Sequence, residues 1–121
     1  MTAELLLVSV AAGSLGALAR YGIQAWATTA GKGYLAILVA NIVGSALAGA
    51  LFALPDSFTT AALLAGFCGS LTTLSTMVVH LLPLPSARPL RSRVGLGISH
   101  VVGSVGAAVV AYSAVALWLV N

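Results

Sequence analysis

Four long apolar runs joined by short loops decide what this chain can fold into. They extend from about Glu4 to Thr28, Tyr34 to Leu54, Thr59 to Leu82 and Val94 to Val120. Each matches the roughly 20 apolar residues a helix needs to cross a bilayer. The loops carry the turn signals "TAGKG", "PDS" and "PLPSARP". In lipid, backbone N–H and C=O groups must be satisfied within the segment. That predicts an all-α membrane protein, a single four-helix domain over residues 1–121. The alternating strands of a membrane β-barrel are absent from the pattern. Composition agrees: 6% of residues are charged, against about 25% in a soluble domain. The start, "MTAELLLVSV", has no basic region, so the first run is expected to remain as a helix. A single cysteine, Cys68, excludes an internal disulfide and a cysteine metal cluster.

Four crossings put both termini on one side. Lys32 lies in the first loop, and Arg88, Arg91 and Arg93 lie in or beside the third. Arg20 sits in the half of the first helix nearest that side, while the opposite side carries Glu4 and Asp56. The positive-inside rule then makes the first and third loops cytoplasmic and leaves both termini outside the cell membrane. The five basic residues are too few and scattered for a nucleic-acid surface; lipid is the expected environment. Trp26, Tyr34, Tyr112 and Trp118 fall near span ends, as interfacial anchors do.

Small residues recur at helix-packing intervals. "GSLGALAR" aligns Gly13, Gly16 and Arg20; "NIVGSALAG" aligns Asn41 with Gly44 or Ser45 and with Ala48 or Gly49; "SHVVGSVGAA" aligns Ser99, Gly103 and Gly106. Close approach of helix backbones accounts for most of these glycines.

The polar residues at depth are more informative. Arg20, Asn41, Ser75, Thr76, His100 and Ser104 all lie inside apolar runs. Such groups usually face a bundle interior or a watery path. They are mostly hydrogen-bond donors. No Asp or Glu lies in the membrane core, so the set suits a small anion better than a cation or a proton-coupled substrate. Each residue has a plainer reading. Asn41 can bond a neighbouring helix, Arg20 can snorkel to the interface, and Ser and Thr can bond their own helix carbonyls. His80 reads as a helix-end residue, Cys68 as packing, and His100 stays open. The stretch "GFCGSLTTLSTM", Gly66 to Met77, resists a plain reading. Gly66, Gly69 and the hydroxyls up to Thr76 offer a place for the third helix to unwind. Unwound backbone at that depth needs protein or water around it, and its freed carbonyls can hold a cation such as Na⁺. A chain this small has little interior for both a break and a pore, so an oligomer with the break at its centre is expected.

"GSLGALARY", "NIVGS" and "GFCGSLTTLSTM", in this order on successive helices, resemble the CrcB/Fluc family of fluoride channels over essentially the whole chain. The resemblance implies an antiparallel dimer with pores at the interface and passive export of fluoride from the cytoplasm, giving fluoride resistance. It implies a structural Na⁺ at the dimer centre, held by the carbonyls of Gly69 and Thr72. It places Asn41, Ser75, Thr76, Ser104, His100 and Arg20 along the anion pathway. The family run Thr-Thr-Phe-Ser-Thr-Phe reads here Thr72, Thr73, Leu74, Ser75, Thr76, Met77, so Leu74 and Met77 stand where pore aromatics are expected. His80 replaces a usual glutamate and His100 a usual tyrosine or asparagine. Lost aromatics and a one-sided charge bias both point to a heterodimer with a homologous subunit of opposite orientation. Two alternatives are a non-conducting structural or regulatory subunit and a small multidrug-type exporter. The exporter needs a carboxylate in the first helix, where Val8 to Leu18 has none. No nucleophile–base–acid set suggests an enzyme.

Overall fold

The computed structural model describes residues 2–83 and 89–121, apart from the side chain of Tyr34. Arg88, counted above among the cytoplasmic charges, and the anchoring role of Tyr34 lie outside this description. All regular elements among the described residues are helices: α1 (Ala3–Thr29), α2 (Gly33–Phe52), α3 (Phe58–Ala62), a π-helical segment (Leu63–Cys68), α4 (Gly69–Leu71), α5 (Ser75–Leu81) and α6 (Leu90–Val120). They make four helices long and apolar enough to cross a membrane, the third running from Phe58 to Leu81. At about 1.5 Å per residue, the 31 residues of α6 outreach a hydrocarbon core of about 30 Å. Its first turns, with Arg91 and Arg93, can therefore stand in the headgroup layer.

Local chemistry sets the ends. Thr2 caps α1 by accepting the Leu5 N–H at 3.2 Å, and Glu4 lies in the first turn, where the helix dipole favours an anion. Gly31 turns the chain toward α2 at φ 70°, a conformation that favours glycine. Ser57 caps the third span, its hydroxyl accepting the Thr60 N–H at 3.1 Å. Replacing Ser57 with alanine should cost about 1 kcal/mol, read as a lower unfolding midpoint in detergent. At the other end of that span, Arg93 on α6 donates to the Leu81 carbonyl at 2.9 Å and ties α5 to α6.

Helix α2 is the centre of the fold, packed against α1, α6 and most of the third span. Glycines set its approaches and those of α1. A Cβ at Gly49 would run into the backbone of Ala108, and one at Gly16 into the carbonyl of Phe67. Gly13 faces Ser70 and Gly66, and Gly103 faces the side chain of Ile42. Gly106 meets nothing within 4 Å, and Ser99 is exposed and bonds the Gly95 carbonyl of its own helix. The packed face of α6 therefore passes through His100, Gly103 and Ala108, not through Ser99 and Gly106.

The third span is bent within the stretch from Gly66 to Thr76, past its glycines rather than at them. Gly66 and Gly69 both stay in helical structure, Gly69 with φ −61° and ψ −34°. The helix opens after them, at Thr72 (φ −81°, ψ 154°), and resumes at Ser75. Gly66 is needed for packing: a Cβ there would strike the carbonyl of Ser9 on α1. The wide π turns of Leu63–Cys68 precede the opening, as such bulges often do near functional sites.

Much apolar surface remains open, including Leu7, Val102 and Trp118. Lipid or another subunit must cover it. The buried residue of α6 is His100.

Candidate functional site at the helix break

An open turn inside a membrane span leaves peptide groups without partners, and each is costly in hydrocarbon. Asn41, buried on α2, supplies the replacement. Its Oδ1 accepts the Thr73 N–H at 2.8 Å, and its Nδ2 donates to the Thr73 carbonyl at 3.0 Å. The side-chain amide thus stands in for a strand-like backbone partner. Gly44, one turn further along α2, lets the break come this close, because a Cβ there would meet the methyl of Thr72. Thr72 itself remains tied to the preceding turn through its N–H and its hydroxyl, both bonded to the Cys68 carbonyl at 3.1 Å.

The reciprocal pair has a consequence for Gly69. In a continuous helix its carbonyl would accept the Thr73 N–H. That N–H is given to Asn41, and Gly69 is exposed, between buried Cys68 and half-buried Ser70. The Thr72 carbonyl is reached by Arg20 from α1, with Nη1 donating at 3.4 Å. Arg20 is half-buried. It therefore turns toward the break rather than simply snorkelling to the interface.

Hydroxyls gather on the far side of the opening. Thr73 Oγ1 lies 3.2 Å from Ser75 Oγ and 3.4 Å from Thr76 Oγ1. His100 Nδ1 lies 3.2 Å from Asn41 Nδ2. A cavity of about 350 Å³ opens beside this network, lined by Asn41, Thr72, Thr73, Leu74, Met77, His100 and Ser104 among others. Its polar side chains are amide, hydroxyl and imidazole; its lining holds no carboxylate.

The structure brings Asn41, Thr72, Leu74, Met77, His100 and Ser104 to this one cavity. Ser75 and Thr76 are joined to it through the Thr73 hydroxyl, whereas Arg20, bonded to the Thr72 carbonyl, and Gly69 are not part of its lining. Leu74 is 69% exposed, so the position expected to carry an aromatic ring faces outward from the chain. Sequence reasoning missed Thr73 as the hub. Its signal was Asn41: a primary amide seven residues into an apolar helix needs both a donor and an acceptor, and a freed peptide group offers both. Among the described residues no three His, Cys, Asp or Glu side chains cluster to hold a metal ion.

The sequence is similar to those of known proteins. The sequence model of a family described as CrcB-like protein, Camphor Resistance (CrcB), matches residues 7–112. A protein of Halalkalibacterium halodurans, named Fluoride-specific ion channel FluC 2, is 32% identical over 105 residues, covering 83% of this chain and 77% of its own length. Fluoride-specific ion channel FluC of Saccharophagus degradans is 33% identical over 118 residues, covering 91% of this chain and 89% of its own length. No solved structure gives a significant match. With the family pattern spanning nearly the whole chain and both relatives aligned over most of it, the chain belongs to the CrcB family.

Proposed function

We propose that this chain is a subunit of a fluoride-selective channel, not an enzyme, through which fluoride leaves the cytoplasm passively. The observation that carries the reading is the cavity at the break, lined by donors and free of carboxylates. Family membership and the names of both relatives support it. Fluoride is small and strongly hydrated, so closely placed donors must replace its water. The proposed path runs past Asn41, Ser104 and His100, with the hydroxyls of Ser75 and Thr76 beside it and Arg20 toward its mouth.

The whole chain acts as one membrane domain in this reading, with termini outside and the first and third loops cytoplasmic. A homologous subunit of opposite orientation lies against it, and the pores run between the two. Two features support a heterodimer over a homodimer, and a third fits any assembly or lipid. Leu74 and Met77 bring no aromatic edge to the cavity, the basic residues fall on one side, and wide apolar faces remain uncovered. A structural Na⁺ fits the break at the centre of such a dimer. Gly69 offers a carbonyl released by Asn41, and the Thr72 carbonyl has a second lone pair beside its long bond to Arg20. Bound there, the ion would cross-link unwound backbone from the two subunits.

A non-conducting structural or regulatory subunit is the second reading, and the same missing rings at Leu74 and Met77 favour it. Drug export is disfavoured, because α1 carries its acid at Glu4, in the exposed first turn, and none at mid-membrane. Reconstitution separates these readings. The chain alone should pass little fluoride, and the chain with an oppositely oriented homologue should pass it freely. Full flux from the chain alone would sink the heterodimer.

A further inference from the structure

His100 is 2% exposed, and it is the residue that α6 buries. Its neighbours fix its chemical form. The Thr73 N–H can only donate, so the Asn41 oxygen must face it, at 2.8 Å. The Thr73 carbonyl can only accept, so Asn41 Nδ2 must face that group, at 3.0 Å. The amide therefore has one allowed orientation. Nδ2 has a second hydrogen, and His100 Nδ1 lies 3.2 Å away. That nitrogen must accept, which leaves it without a proton. A neutral imidazole with a bare Nδ1 carries its proton on Nε2. His100 Nε2 is buried and has no hydrogen-bond partner among the described residues. Asn41 is in the opposite condition: both of its donor hydrogens and its oxygen are engaged within the chain.

The geometry points to the Nε2–H of His100, rather than the amide of Asn41, as the donor this subunit presents to an anion in the cavity. The inference rests on the fluoride reading and names the atom that serves it. Asn41 acts as a positioning residue: it closes the break and holds the imidazole in the donating tautomer. A buried donor without a partner is costly; His100 belongs to the cavity wall, and a small hard anion that reached Nε2 from the cavity would supply the missing acceptor. The other side chains around the cavity do not compete for that proton with a charge, since its lining has no Asp or Glu. Leu74 and Met77, where rings are expected, offer no strong acceptor either.

The test uses the assembly captured from its native membrane through a tag on this chain and reconstituted in liposomes. Fluoride efflux from His100→Ala should fall about tenfold to hundredfold, the loss of one hydrogen bond to a charged group. Glutamine can place an amide N–H near the Nε2 position, whereas asparagine reproduces only the Nδ1 end. His100→Gln should therefore recover most of the flux, and His100→Asn should behave like alanine. In a second arm, ¹⁵N-histidine NMR should find the His100 proton on Nε2 and show that resonance moving with added fluoride. The His80→Gln variant assigns the signals. Wild-type flux in His100→Ala, a glutamine variant no better than asparagine, a proton on Nδ1, or an Nε2 resonance indifferent to fluoride would each overturn the inference. An assembly that conducts no fluoride would overturn the channel reading instead, and the NMR arm would still decide the donor.

Discussion

Asn41→Leu abolishes fluoride flux and destabilises the protein by about 2–6 kcal/mol, the largest effect expected of any single substitution. The figure follows from two peptide groups. The N–H and C=O of Thr73 both bond Asn41, and a buried group left without its partner costs about 1–3 kcal/mol. Leucine fills a similar volume, so lost packing contributes little. Asn41→Asp should be graded differently. One carboxylate oxygen still accepts the Thr73 N–H, but the other faces the Thr73 carbonyl and repels it. Its negative charge also opposes any anion in the cavity. Flux should vanish while the folded protein survives better than in the leucine variant. Unfolding in graded denaturant, paired with liposome efflux, separates the two losses. A leucine variant as stable as the wild type would show that Asn41 does not hold the break.

The second large effect concerns how closely α2 and α6 approach. Gly49→Ala places a methyl against the backbone of Ala108, where no side chain can move aside. Overpacking of this kind costs about 1–3 kcal/mol. Here it should also displace α6, and with it His100 and the cavity wall. Gly106→Ala, on the same helix pair, meets open space and should leave stability within about 0.5 kcal/mol of the wild type. The contrast is read from unfolding midpoints of the two variants in one detergent. Equal losses would mean that α2 and α6 do not cross as described.

The four spans were legible because lipid imposes a simple rule: each crossing must satisfy its own backbone. The runs around Asn41 and Gly66 to Met77 also marked the site region, because polar groups at depth stand out against aliphatic neighbours. What the residues did not disclose was the division of labour among them. Gly66 and Gly69 looked like the weak point of the third helix, yet they remain helical, because Gly66 is small in order to meet Ser9. The opening falls at Thr72, where Asn41, from a different helix, provides substitute hydrogen bonds. A break stabilised by a tertiary contact has no local signature beyond its tolerance for unwinding. His100 was likewise ambiguous, since burial and tautomer depend on an amide 59 positions away in sequence. Arg20 was open between snorkelling and a deeper role, and its reach to the Thr72 carbonyl depends on the close α1 packing set by Gly13 and Gly16. Ser99 and Gly106 shared a helical period with Gly103, but the actual crossing rotates α6 so that His100 and Ala108 face inward instead.

In the proposed channel the donors gathered around the break form the path for fluoride. The direct test is efflux from liposomes carrying this chain together with whatever subunit its tag captures, followed with fluoride- and chloride-selective electrodes. Rapid fluoride release, negligible chloride release, and loss of the fluoride signal in Asn41→Asp are expected. Fluoride release no faster than from protein-free liposomes, or equal release of both halides, would contradict that path.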